Sequence, residues 1–171
     1  MPDTSTFDQD IKDVHLIYDY DAVNEKTGKH ELWRYEMYFQ SKATQDRIVY
    51  AIHGGPMAGR YNYQKAEYQC IRPGELWQCN WLEETGTICS MVYDIPKQTI
   101  TTLLGFSKGH WEEAEKAHGD KRNEADFQRW RSLAKIGTQA DRKLLSEQAS
   151  IVENFKGAGD LKPVDESWPT M

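Results

Sequence analysis

The feature that most constrains the fold is a series of short segments in which apolar and polar residues alternate, spread over residues 14–106. Alternation with a period of two residues is typical of β-strands, because successive side chains point to opposite faces of a sheet. In LWRYEMYF, for example, one face carries Trp33, Tyr35, Met37 and Phe39. Turn-prone sequences such as NEKTGK, HGGPMAG and EETG separate the segments. The predicted strands are 14–21, 31–40, 47–53, 59–71, 75–83, 87–94 and 98–106.

Short connections between such strands predict an antiparallel meander. A meander of this length in a chain of 171 residues most simply curls into a barrel or a closed sandwich, because closure removes exposed sheet edges. Beyond residue 110 the sequence is rich in charge, and Phe127, Trp130 and Leu133 recur at helical spacing. We therefore predict a mainly β fold, an antiparallel β-barrel with one or two flanking α-helices.

The length suits a single domain, 1–171. We expect it to be divided into a loose N-terminal arm at 1–13, barrel strands at 14–106, a helical segment at 107–147, a final strand at 148–156 and a tail at 157–171.

Composition excludes several classes of partner. The formal net charge is −6 and the pI about 5.4, which argues against nucleic acid and anionic membranes as partners. No apolar stretch approaches the about 18 residues of a membrane helix, and the start of the chain lacks the pattern of a signal peptide. Cys70, Cys79 and Cys89 show no CxxC spacing, which favours a reduced, cytoplasmic protein over a disulfide scaffold. The histidines form no HxH or HExxH pattern, so no metal site is expected.

The stretch HLIYDYDA places Tyr18 and Tyr20 two residues apart. In a strand their hydroxyls lie side by side on one face, directed either to solvent or to the interior. Ordinary strand packing, with both hydroxyls reaching water, is the simpler interpretation of the pair alone.

Two charged residues at strand ends are further candidates. Arg60 follows HGGPMAG at the start of an aromatic-rich strand, where it is either a surface arginine or an inward guanidinium able to hold a carboxylate. Glu83 ends a strand whose same-face residues include Trp77 and Trp81. If that face is interior, its carboxyl lies in apolar surroundings that suit proton transfer. The alternating pattern directs Glu84 to the other face, and a solvated glutamate at a hairpin end is the alternative for Glu83.

Several common catalytic patterns are missing from the sequence. The glycines of HGGPMAG do not form a P-loop, and neither a nucleophile elbow nor a dinucleotide fingerprint is present. An enzyme with this sequence is expected to work without a cofactor.

Four segments together resemble one known family. YDYD at 18–21, WRYEMY at 33–38, YAIHGGPMAGRY at 50–61 and WLEETGT at 81–87 occur in the order and at nearly the spacing found in the phenolic acid decarboxylases, which act on ferulate or p-coumarate. Any one segment is weak evidence, whereas four in register are specific. The resemblance covers about the first two-thirds of the chain.

The sequence also departs from the family pattern. Ala51, Tyr61, Leu82 and Glu84 replace the usual residues, and the region 107–147 resembles the family poorly. The resemblance therefore specifies the reaction type more closely than the substrate preference.

The resemblance implies a lipocalin-like barrel that forms a homodimer and needs no cofactor. It implies the non-oxidative decarboxylation of 4-hydroxycinnamic acids (p-coumarate, ferulate, caffeate) to 4-vinylphenols and CO2 through a quinone methide. The catalytic residues that it implies are Glu83, Arg60, Tyr18 and Tyr20. The substrate-binding residues that it implies are Tyr35, Tyr50, Thr87 and Leu104.

Two other functions fit the same residues. A non-catalytic lipocalin-like carrier of a small aromatic ligand would use the same inward tyrosines and arginine, but it would tolerate Glu83→Gln. An enzyme of the same scaffold acting on a different aromatic acid is the other alternative. A structural or interaction protein has no need of Arg60 and Glu83 inside a barrel.

Overall fold

The computed structural model describes residues 4–41 and 46–171. The strands are β1 Val14–Val23, β2 His30–Ser41, β3 Asp46–Ile52, β4 Arg60–Lys65, β5 Glu67–Arg72, β6 Leu76–Leu82, β7 Ile88–Asp94, β8 Thr99–Phe106, β9 Gly119–Asp120 and β10 Lys143–Lys156. The α-helices are α1 Thr4–Asp10, α2 Lys108–Glu112 and α3 Glu124–Leu133, and short 3-10 helices span Ala114–Ala117 and Gln139–Asp141.

All the strands belong to one sheet in the order β5-β6-β7-β8-β10-β1-β2-β3-β4-β9. Neighbouring strands are antiparallel except β4 and β9, and β10 returns to pair with both β8 and β1. The mainly β, barrel-like, lipocalin-like class is therefore confirmed. Within the described residues no ladder joins β5 to β9, so hydrogen bonding does not close the sheet that we expected to be closed.

Two strand boundaries differ from those predicted. The predicted strand 59–71 is divided at Ala66, whose N–H donates to the Asp46 carbonyl at 3.3 Å. The two parts, β4 and β5, lie far apart in the strand order. The last strand begins at Lys143 instead of residue 148, and its exposed residues alternate with partly buried ones from the start.

The alternating residues of β2 face the interior as predicted. Trp33, Met37 and Phe39 are buried in the main core, and Tyr35 packs against it. The equivalent residues of β6, Trp77 and Trp81, lie in the same core. Burial of such side chains stabilises the fold by about 1.5–3 kcal/mol each.

The outer face of β2–β4 is covered by the end of the chain. Tyr38, Val49 and Tyr63 pack in a second core with Leu161 and Val164. The side-chain amide of Gln40 donates to the Val164 carbonyl at 2.6 Å and accepts its N–H at 2.7 Å. Residues 157–171 thus pack against the sheet, although their polar sequence predicts a tail.

Residues 4–13 also differ from the loose arm that we expected at 1–13, whose first three residues lie outside the described range. Helix α1 places Phe7 with its ring centroid 5.1 Å from Tyr68 and 5.9 Å from Trp77. The Asp10 carboxylate accepts a hydrogen bond from the Trp77 indole at 2.8 Å. These contacts fix the helix against the barrel wall.

The region 107–147 contains α2 and α3, joined by a 3-10 turn and the short strand β9. At Gly109 an added Cβ would lie 2.3 Å from the Leu133 carbonyl oxygen, so only glycine allows α2 to approach α3 so closely. Phe127, Trp130 and Leu133 are buried, as their spacing predicts. None of the helices in the described ranges has the length and apolar character that crossing a bilayer requires.

Candidate active site

One cavity inside the barrel gathers the residues that the sequence singled out. Its lining includes all the predicted catalytic and substrate-binding side chains, which are Tyr18, Tyr20, Tyr35, Tyr50, Arg60, Glu83, Thr87 and Leu104. Apolar side chains such as Met37, Ile52 and Phe106 complete the wall.

Three phenols of β1 and β2 form one side of the cavity. Tyr18 and Tyr20 are only 2% and 4% exposed, so ordinary packing with the hydroxyls in water is excluded. The Tyr35 ring stacks on Tyr18 at 5.9 Å between centroids and meets Tyr20 edge-on at 5.3 Å. The Tyr20 hydroxyl bonds to Oγ1 of Thr102 at 2.6 Å.

The phenols remain protonated. Burial, followed by the neighbouring Tyr20, raises the pKa of Tyr18 well above its usual value. Burial likewise raises the pKa of Tyr20 and of Tyr35. All three are therefore hydrogen-bond donors at neutral pH, suited to an oxyanion.

Glu83 lines the same cavity from the β6–β7 hairpin, and it is 4% exposed. The hairpin turns at Gly86, where φ is +83°, a conformation that favours glycine. Oε1 of Glu83 accepts hydrogen bonds from the Tyr50 hydroxyl and, at 3.1 Å, from the Trp81 indole. Oε2 accepts one from Nη2 of Arg60 at 3.0 Å. The carboxyl group is thus held in one orientation at the cavity wall.

Both terminal nitrogens of the Arg60 guanidinium are bonded to acceptors of the protein. Nη2 is shared between Glu83 and Oε1 of Glu84, the latter at 2.5 Å, and Nη1 donates to the Ala117 carbonyl at 2.9 Å. The Trp130 ring lies 3.9 Å from the guanidinium carbon. The sequence suggested an inward guanidinium that holds a carboxylate. Here one guanidinium nitrogen contacts two carboxylates of the protein, those of Glu83 and Glu84, so the grip is not bidentate on either.

Behind Arg60 lies a buried ionic network that sequence reasoning missed. Glu84, 3% exposed, bonds to Arg60 and accepts from Nζ of Lys121 at 2.9 Å. Burial alone would raise the pKa of Glu84, but Arg60 and Lys121 outweigh it and lower the pKa to about 2. Glu84 does leave the cavity side, as its position in the alternation predicts, but it enters a second buried environment.

His110 is a second residue that sequence reasoning missed, and it lines the cavity. Its Nδ1 lies 2.8 Å from the hydroxyl oxygens of both Thr85 and Thr87. Burial, followed by the charge of Arg60, lowers the pKa of His110 well below its usual value, so the ring is neutral. The one signal in the sequence is Ser107 three residues earlier, a helix N-cap whose hydroxyl accepts the His110 N–H at 3.3 Å.

Two comparisons with known proteins bear on this site. A protein-family model described as "Phenolic acid decarboxylase (PAD)" matches residues 9–155. The match runs through 107–147, where the motifs alone show little resemblance. A comparison with curated proteins found no match.

Proposed function

This chain belongs to the phenolic acid decarboxylase family, and we propose that it converts 4-hydroxycinnamic acids such as p-coumarate, ferulate and caffeate to 4-vinylphenols and CO2. The observation that carries the proposal is the position of Glu83, a fixed and buried carboxyl on a cavity wall that faces three protonated tyrosines. This arrangement supplies a proton donor and oxyanion donors at one cavity.

Direct loss of CO2 from a cinnamate would leave an electron pair on an sp2 carbon, where no electron sink exists. The proposed route avoids that carbanion. The para-hydroxyl group gives its proton to solvent. The ring pushes electrons towards the side chain, and the α-carbon takes a proton from Glu83, which leaves Glu83 ionised and gives a quinone methide. The bond to the carboxylate then breaks, its electron pair forms the vinyl double bond, and the ring regains a phenolate that is reprotonated. Each turnover consumes one proton, which Glu83 recovers from solvent.

The described side chains suit these steps. Glu83 is the acid for the α-carbon, and the hydrogen bonds from Tyr50 and Arg60 keep it in place. The hydroxyls of Tyr18 and Tyr20 donate to the developing oxyanion of the substrate. Arg60 acts as a positioning residue and as a fixed positive charge beside the reacting carboxyl.

The direct test is a spectrophotometric assay of the purified protein with p-coumarate, ferulate and caffeate, without added cofactor or metal. The cinnamate absorbance should fall while 4-vinylphenols and CO2 accumulate. Cinnamate without the para-hydroxyl group should remain unchanged, since the quinone methide cannot form. Binding of p-coumarate with no loss of absorbance would replace this proposal with the carrier function.

We also infer a homodimer, as the family resemblance implies. Exposed apolar side chains on the outer face of the sheet support it: Ile88 and Leu144, 50% and 68% exposed, flank Gly105 on three adjacent strands. Apolar patches of this kind are typical of protein interfaces. Light scattering should give the mass of two chains for the wild type and of one chain for Leu144→Glu.

A further inference from the structure

One polar atom of the cavity wall takes no part in the reaction proposed above. His110 is 2% exposed, and within the described residues its Nε2 has no hydrogen-bond partner. An unsatisfied buried polar atom costs about 1–3 kcal/mol. Because His110 lines the cavity, a ligand there is the natural source of the missing partner.

The imidazole ring is held in place from its other side. Nδ1 contacts the hydroxyls of Thr85 and Thr87, and the backbone at Gly109 packs directly on the α3 end. The Phe106 ring meets the imidazole edge-on at 5.1 Å. These contacts fix the orientation of the imidazole ring, and therefore the position of Nε2.

The surrounding hydrogen bonds indicate which nitrogen carries the proton. The Thr87 hydroxyl oxygen already accepts the Ser107 N–H at 3.2 Å, and within the described residues the Thr85 hydroxyl bonds only to His110. The Thr87 hydroxyl therefore has its proton free to donate, and the single lone pair of Nδ1 is an acceptor within reach at 2.8 Å. With Nδ1 as acceptor, the proton of a neutral imidazole lies on Nε2. The site thus presents an N–H donor to the ligand.

Most of the neighbouring donors are already engaged. Nη1 and Nη2 of Arg60 are bonded to protein acceptors, and the Tyr50 hydroxyl donates to Glu83. Among the fully buried polar atoms of the described residues, only Nε of Arg60 shares with Nε2 of His110 the lack of a partner at this cavity. Nδ1 of His110 lies 3.8 Å from Oε2 of Glu83, so the imidazole adjoins the carboxyl that must reach the α-carbon. The group bonded to the α-carbon is the carboxylate.

We infer that Nε2–H of His110 binds the carboxylate of the substrate, so that the phenol end faces Tyr18 and Tyr20. This inference rests on the proposed function, which places the α-carbon beside Glu83. It assigns Thr87, expected to bind substrate directly, the task of orienting His110.

A neutral donor suits a group that is about to lose its charge. The carboxylate becomes uncharged CO2 in the reaction, so interactions that favour the charged form stabilise the ground state more than the transition state. A free arginine that binds the carboxylate through two hydrogen bonds would stabilise the charged ground state strongly. A single N–H of a neutral ring positions the carboxylate and stabilises its charged ground state less.

The test uses two probes that should not react, cinnamate for the carboxylate end and 4-vinylphenol for the phenol end, each titrated by calorimetry. His110→Asn keeps a polar group near Thr85 and Thr87 but removes the donor at the Nε2 position, whereas His110→Gln places an amide N–H there. His110→Asn should weaken cinnamate binding about tenfold or more and change 4-vinylphenol binding less than twofold. His110→Gln should stay within about threefold of the wild type for both probes.

The exposed His30 offers a matched control, and His30→Asn should change neither affinity. Unchanged cinnamate binding in a folded His110→Asn variant would overturn the inference, as would an equal loss for both probes. Because neither probe needs to react, the result is separable from turnover. A wild-type protein that binds cinnamate through His110 but leaves p-coumarate intact would refute the decarboxylase function alone.

Discussion

Nη2 of Arg60 lies 2.5 Å from Oε1 of Glu84, a residue that faces away from the cavity. The same nitrogen donates to Glu83 at 3.0 Å, so the arginine beside the reacting carboxyl is anchored from behind. Lys121 contacts the far oxygen of Glu84 at 2.9 Å. Two cations and two carboxyl groups therefore form one buried cluster, and the position of Glu83 depends on all of them.

Glu84→Gln should destabilise the fold strongly. The change leaves Arg60 and Lys121 buried with too little negative charge, and breaking a buried ion pair costs about 3–5 kcal/mol. Urea unfolding measures the loss. The double variant Glu84→Gln/Lys121→Gln should recover part of it, and Glu67→Gln at an exposed position should change the free energy of unfolding little. A loss below about 1 kcal/mol for Glu84→Gln would show that the cluster contributes nothing as a unit.

Glu83→Ala should abolish vinylphenol formation, because the α-carbon then loses the acid assigned to it. Circular dichroism should show a folded protein, since Arg60 keeps its contact with Glu84. Glu83→Gln keeps the shape and the contact with Arg60 but carries no acidic proton, and it should be equally inactive. Full CO2 release by either variant would refute the assigned role of Glu83.

Tyr18→Phe combined with Tyr20→Phe should lower the decarboxylation rate by on the order of 100-fold or more, as expected for oxyanion donors. The rings remain, so packing against Tyr35 is preserved. Tyr61→Phe on the exposed outer surface is the matched control. A decrease of less than about threefold would indicate that the hydroxyls serve only strand packing.

The free energy of unfolding should depend on pH through His110. Its pKa is lowered in the folded state, so below pH 6.5 the unfolded chain binds a proton that the folded protein rejects. The contribution of His110 to the free energy of unfolding is fully present above pH 6.5. It falls as the pH decreases, by at most about 1.4 kcal/mol per pH unit. Glu84 contributes only at lower pH, as the pH falls from 4.5 towards 2.

The measurement compares urea unfolding at pH 7 and pH 5 for the wild type and His110→Gln. The difference between the two proteins removes the contribution of the other histidines. A smaller pH dependence in the variant is the expected result, and His30→Gln should retain the wild-type dependence. An equal change in the free energy of unfolding between pH 7 and pH 5 for the wild type and His110→Gln would contradict a buried neutral imidazole.

Alternation along the strands predicted most of the barrel, because a strand with one buried face must repeat every two residues. Trp33, Met37 and Phe39 were placed on the inner face by that pattern alone. The motifs that resemble the family located Glu83 and Arg60 on the same cavity. The strand break at Ala66 could not be predicted in this way, since a break without glycine or proline does not change the alternating pattern.

The residues that sequence reasoning missed depend on long-range contacts. Lys121 comes from the segment between the helices, and its Nζ meets Glu84, 37 positions earlier, only because β9 pairs with β4. Alternation directs Glu84 away from the cavity, but it cannot show that another part of the chain covers that side. His110 likewise gains its role from Thr85 and Thr87 on a different hairpin.

Lys121 also donates to the carbonyl of Thr170 at 2.8 Å. Thr170 is therefore linked through one ammonium group, Glu84 and Arg60 to Glu83. A change in the segment around Thr170 would reach the cavity wall through this linkage, although Thr170 is not part of the cavity lining.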